Sequence, residues 1–232
     1  VEQKAWGGYD RLPKETYPTN LWVPNEIVTD GFAVPIDPTT LDGVYNIVVG
    51  LYDEADPAAR SLPLFQAGQP LGTSSVTIGP IKVGGPPPEV MKSVQALTSH
   101  TPLSIELGEP PVILLRGYDL AEENDTLQLR FTWESLAQTP TDWSIFVHLR
   151  NEAGQTVAQK DGPAGSGLYP SSLWDAGEMI TDQVILPVED LPEGHYTIFI
   201  GLYDVVTGVR LAVPDNPANA ILLAEIVLGI GN

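Results

Sequence analysis

Runs in which every second residue is apolar recur along the chain. Thr126 to Glu134 (TLQLRFTWE) places Leu127, Leu129, Phe131 and Trp133 on one face. Trp143 to Arg150 (WSIFVHLR) does the same for Trp143, Ile145, Val147 and Leu149, and a later run aligns Tyr196, Ile198, Ile200 and Leu202. A period of two predicts strands with one buried face. Met179 to Leu186, closed by Pro187, and Ile221 to Leu228 predict two further strands, and Ile113 to Gly117 an early one. Asn151-Glu152-Ala153-Gly154 reads as a hairpin turn into a strand over Gln155 to Lys160. Helical periodicity is confined to Glu89 to Leu97 (EVMKSVQAL), room for one short helix.

The pattern occurs twice. Tyr17-Pro18-Thr19-Asn20-Leu21-Trp22 returns 152 residues later as Tyr169-Pro170-Ser171-Ser172-Leu173-Trp174. At the same offset Glu26, Thr29, Asp30 and Pro35 return as Glu178, Thr181, Asp182 and Pro187. After a one-residue gap, Gly43-Val44-Tyr45 matches Gly194-His195-Tyr196, and Gly50-Leu51-Tyr52-Asp53 matches Gly201-Leu202-Tyr203-Asp204. Tyr45, Ile47, Val49 and Leu51 thus repeat the later strand face. So many ordered matches define an internal duplication. Val1-Glu2-Gln3-Lys4 also aligns with Val157-Ala158-Gln159-Lys160, yet the lead-in of the second copy, from about Leu103 to Thr156, has no counterpart in the first.

About eight short strands with close turns predict an antiparallel sandwich of immunoglobulin or fibronectin type. A tyrosine two residues after a turn glycine, as at Tyr45 and Tyr196, fits a tyrosine corner. The expected organisation is an incomplete sandwich over 1–83, a Gly/Pro-rich linker over 84–101 beginning Gly84-Gly85-Pro86-Pro87-Pro88, and a complete sandwich over 102–232. A half-sandwich leaves sheet edges and an apolar face in water. Its completion is expected from an upstream part of a longer protein, from self-association or another chain, or from docking onto the second copy.

Composition narrows the function. Thirty acidic residues against eleven basic give a net charge of −19, and both sides of Pro86 are acidic. Nucleic acid needs clustered Lys and Arg and is excluded as a partner; anionic membrane surfaces are repelled. With no cysteine, disulfides, thiolate metal sites and Cys nucleophiles are ruled out. No apolar run approaches the roughly 20 residues that span a bilayer. The start at Val1, without Met or a signal peptide, is expected of a mature or excised piece.

Catalytic patterns are few. His100, His148 and His195 have no His or Cys partner at metal-ligand spacing and read as surface or partly covered residues. Gly165-Ser166-Gly167 lacks nucleophile-elbow spacing, and no phosphate-binding glycine loop occurs. Glu178 and Asp182, repeated as Glu26 and Asp30, lie about 13 Å apart if both are on one strand, beyond the separation of about 5–9.5 Å used in glycoside hydrolysis. Their repetition fits turn capping and strand-end hydrogen bonding. Tyr-Pro-x-x-Leu-Trp has two readings: rings that stack on sugars, or a plug for the sandwich, the latter favoured because both copies carry it. Acidic turns at Glu122-Glu123-Asn124-Asp125 and Asp53-Glu54-Ala55-Asp56 offer oxygen ligands for calcium without matching an EF-hand. No catalytic residue, metal ligand or cofactor is therefore assigned.

Leu114-Leu115-Arg116-Gly117-Tyr118-Asp119, Phe146-Val147-His148-Leu149, the Tyr169 to Trp174 segment, Gly177-Glu178 and Gly201-Leu202-Tyr203-Asp204 together resemble a known module. They are similar to β-sandwich domains attached to bacterial membrane-embedded glycosyltransferases of the mannosyltransferase-like type, and to related uncharacterised envelope proteins. The resemblance spans most of residues 103–229, and its second half spans 1–83. It implies an extracytoplasmic accessory module, in the cell envelope or secreted, with transferase chemistry housed in a multi-span membrane domain outside these residues. The expected function is a non-catalytic module pair that binds carbohydrate or protein or spaces larger domains. The alternative is a C-terminal fragment of a membrane glycosyltransferase.

Overall fold

Alternating apolar residues become strands where a second strand can complete their hydrogen-bond ladder, and the two copies differ in how often that happens. The computed structural model describes residues 5–31, 33–56, 58, 60–90 and 101–229 and is all-β. Its strands are β1 (Gly43–Gly50), β2 (Phe65–Gln66), β3 (Gln69–Pro70), β4 (Ser75–Val83), β5 (Thr101–Leu107), β6 (Ile113–Glu123), β7 (Thr126–Ser135), β8 (Trp143–Asn151), β9 (Thr156–Pro163), β10 (Met179–Pro187), β11 (Gly194–Asp204) and β12 (Ile221–Leu228). By backbone compactness the chain divides into units 1–41 and 42–232.

The second copy is a complete sandwich. One antiparallel sheet has the order β10-β7-β6-β5 and the other β12-β11-β8-β9. Leu127, Leu129, Phe131 and Trp133 of β7, Ile145, Val147 and Leu149 of β8, and Tyr196, Ile198, Ile200 and Leu202 of β11 are all at most 5% exposed and share one core. Burying each large side chain contributes about 1.5–3 kcal/mol. The β6–β7 hairpin turns at Asn124 and Asp125, both in the left-handed region that a two-residue turn of this kind requires. Tyr196 makes the tyrosine corner, its Oη donating to Pro192 O at 2.7 Å.

The first copy is an incomplete counterpart. β1 and β4 pair as β11 and β12 do: Gly43 faces Val83 where Gly194 faces Leu228. Even the glycine after each hairpin matches. Gly84 and Gly229 both have positive φ, and a Cβ there would strike Asp42 and Glu193 respectively. The difference lies on the other edge: β11 also pairs with β8, whereas among the described residues β1 pairs only with β4. Tyr45, Ile47 and Val49 are partly exposed, and Leu51, Val76 and Ile78 about half exposed. The described residues of 27–35, which align with β10, belong to no named strand, and among the described residues the ladder contact beside them is an isolated bridge between Gly7 and Ile36. β10 is a strand because it pairs with β7 along its whole length, and among the described residues no strand pairs with 27–35.

The Gly/Pro stretch after β4 is packed at its end. Pro87 is buried and Val90 belongs to the core of the second sandwich. Pro88, Glu89 and Val90 are helical; the remainder of the expected 89–97 helix lies outside the described residues.

Candidate functional site

The Tyr-Pro-x-x-Leu-Trp loop was the strongest recognition candidate in the sequence, and its geometry is now explicit. In the second copy Pro170 leads into a single 3-10 turn, Ser171–Leu173. That turn folds Tyr169 and Trp174 inward, 0% and 1% exposed, with ring centroids 6.4 Å apart. Trp174 Nε1–H donates to Tyr169 O at 2.8 Å, closing the loop on itself. The Tyr169 hydroxyl donates to Glu178 Oε2 and lies 3.0 Å from Leu173 O. Glu178 Oε2 also accepts the Asp175 backbone N–H at 2.9 Å. Neither ring offers solvent a face on which a sugar could stack.

The first copy repeats this network bond for bond. Trp22 Nε1–H donates to Tyr17 O at 3.1 Å, the Tyr17 hydroxyl to Glu26 Oε2 at 2.8 Å, and Val23 N–H to Glu26 Oε2 at 3.1 Å. The second acid of each pair also serves the backbone. Asp182, 3% exposed, accepts the N–H groups of Gly165 and Ser166 at 3.1 and 2.6 Å. Asp30 accepts Lys14 N–H at 3.0 Å and pairs with Arg11 at 2.7 Å. Gly165 and Ser166 both have positive φ, as do Lys14 and Glu15. Each carboxylate thus holds a strained turn whose N–H groups no strand can satisfy. Burial raises the pKa of Asp182 and the backbone donors oppose it. In Asp30 the Lys14 N–H and Arg11 lower it.

Sequence reasoning missed the residue that ties the first-copy hairpin to this loop. Lys82, near the end of β4, places Nζ 2.5 Å from Asp175 Oδ2 and 2.6 Å from Glu178 Oε1, and 5.4 Å from the Tyr169 ring centre. Gln138 donates to the other Asp175 oxygen at 2.8 Å. Burial works against the Lys82 charge, but hydrogen bonds to Asp175 and Glu178 outweigh it and its pKa rises. Burial, then Glu178, raises that of Tyr169; Lys82 and Gln138 lower that of Asp175. An acid–base catalyst needs a pKa near the working pH, and Lys82 and Tyr169 are shifted away from neutrality. One signal was available: Lys82 stands where the β12 counterpart is Val227, a cation in place of an apolar residue.

The remaining candidates are dispersed. His148 is half-buried on β8, its ring 4.9 Å from Phe146 and its Nδ1 buried without a hydrogen-bond partner; burial lowers its pKa. His195 is exposed on β11, and His100 lies outside the described residues. Asp53 caps its own turn through Ala55 N–H, and Asp56 accepts Ala58 N–H and pairs with Arg60. Ser166, in the Gly165-Ser166-Gly167 segment, places Oγ 3.2 Å from Asp182. Among the described residues no three His, Asp or Glu side chains come together as a metal site. On the outer face of the β8–β11–β12 sheet an open groove is lined by Arg150, Glu152, His195, Phe199 and Glu225, and the Arg150 guanidinium covers the Phe199 ring at 4.6 Å.

No protein-family model matches the chain, and no curated protein matches it.

Proposed function

We propose that the chain is a non-catalytic, extracytoplasmic pair of β-sandwich modules whose role is structural or protein-binding. One observation carries this reading: the twice-occurring Tyr, Trp, Glu and Asp side chains hydrogen-bond to their own loops. Functional groups so engaged are unavailable to a substrate, and their repetition follows from their part in forming the loop. The exposed apolar surface of β1 and β4 favours a protein partner over a sugar, since apolar sheet faces are covered by other sheets. The resemblance to accessory domains of membrane glycosyltransferases supports the extracytoplasmic placement.

A glycan array and calorimetric titration with representative oligosaccharides test the reading. No binding, and no glycoside hydrolysis by either the wild-type chain or Glu178→Gln, is the expected result. Saturable sugar binding abolished by substitutions at Tyr169 or Trp174, without loss of folding, would overturn it.

A further inference from the structure

Three polar side chains stand in one row across the outer face of the second sandwich. The ladder sets Arg150 of β8 and Glu225 of β12 opposite Thr197 of β11, one on each side. Neighbouring strands are spaced so that the two charged residues rise from backbones about 10 Å apart. On the other sheet, arginines meet cross-strand carboxylates: Arg130 binds Asp119 opposite it through Nε and Nη2 at 2.9 and 2.6 Å, and Arg116 pairs with Glu134. Arg150 does not. Its guanidinium lies over the Phe199 ring at 4.6 Å, with Nε buried and without a hydrogen-bond partner while the two Nη groups stay open to solvent. Among the described residues neither Arg150 nor Glu225 makes a side-chain hydrogen bond or ion pair. An unmatched buried donor costs about 1–3 kcal/mol, so the fold holds this guanidinium flat on its ring at a cost, as binding sites do. With Glu152 and His195, these side chains line a groove of about 300 Å³.

We infer that this groove binds a short peptide as a zwitterion, its terminal carboxylate on the Arg150 Nη groups and its terminal ammonium on Glu225, with Thr197 beneath. The main chain of β11 is already hydrogen-bonded to β8 and β12, so strand addition is closed to a ligand here and side chains must hold it. An anion alone would suit Arg150 but meet Glu152, Glu225 and a chain of net charge −19. A cation alone would leave Arg150 unanswered, and a neutral sugar matches neither charge. A molecule that carries both charges complements both walls. Its length follows from the row. A free amino acid has its two charges on one carbon, whereas an extended chain advances about 3.3–3.6 Å per residue, so three residues bridge about 10 Å. The volume of the groove lies at the lower end for small-ligand sites, too small for a folded partner. The peptide site goes beyond the structural role proposed above and does not depend on it.

Calorimetric titration of the intact chain with trialanine tests the inference. Saturable binding is the expected result, weakened about tenfold or more when the peptide's carboxylate is amidated or its amino group acetylated, as the loss of one charged hydrogen bond predicts. Arg150→Gln should weaken trialanine to the same degree and bind the amidated peptide as the wild-type chain does; Glu225→Gln should stand in the same relation to the acetylated peptide. The blocked peptides probe the unaltered chain, so the inference stays falsifiable even where a variant fails to fold. No saturation at millimolar trialanine overturns it. So does equal affinity for free and blocked peptides, the mark of a site that reads no charge. Acetate binding as tightly as trialanine overturns it too, since Arg150 would then be a simple anion site.

Discussion

Trp174 and Trp22 occupy equivalent loops and donate the same indole hydrogen bond, yet only Trp174 is fully buried. Their substitution separates the energy of packing from that of the loop's own bond. Trp174→Ala should destabilise by about 3–5 kcal/mol, as expected for a large core side chain. Trp22→Ala should cost less than about 1 kcal/mol; denaturant unfolding of both variants checks the contrast. His148 makes a second residue-scale prediction, through pH. Burial lowers its pKa in the folded chain, with Arg210 and Arg150 acting in the same direction and Asp161 against them. Folding therefore favours the neutral ring. The associated stability is complete above the unfolded value of about 6.5 and is lost as pH falls through the folded one. Urea midpoints at pH 7.5 and 5.5 should fall further for the wild-type chain than for His148→Gln. Equal falls would show that the ring is equally free to take a proton in both states.

The element that most shapes the candidate site is the β1–β4 hairpin, through Lys82. Removing one partner of a partly buried ion pair strands the other. A double-mutant cycle with Lys82→Met and Glu178→Gln should give a coupling of about 1–2 kcal/mol, measured by denaturant unfolding. Additive effects would mean that the contact does not fasten the hairpin. This element also shows where sequence reading stops. β7, β8 and β11 were legible because each alternates over at least four apolar residues beside an equally regular partner. β4 was not, because Gly79 and Pro80 interrupt its alternation. The carboxylates were legible as turn caps from their repetition alone. The Lys82 contact was not, since its partners lie 93 and 96 residues away and only the fold brings them together. The described residues of 27–35 make the complementary point: they repeat residue types of β10 but belong to no named strand, since a ladder depends on its partner as well as on its own residues.

For the whole molecule, the described residues hold one closed sandwich of two four-stranded sheets and a repeat of its last strands in the two-stranded sheet of β1 and β4. The apolar faces carry nearly the same residues in both, so their unequal burial follows from the smaller number of neighbouring strands among the described residues and not from weaker sequence. An exposed edge over an apolar face is a template for further pairing, and the thirty acidic residues against eleven basic provide repulsion that opposes indiscriminate association. The account's central claim is that equivalent strands differ in stability because only one is enclosed. Amide hydrogen exchange of β1 and β11 in the unliganded chain tests it most directly. The account predicts that Asn46 to Gly50 exchange on the order of a hundredfold or more faster than Thr197 to Gly201, reflecting local opening far below the global unfolding energy. Equal protection of the two strands would contradict it.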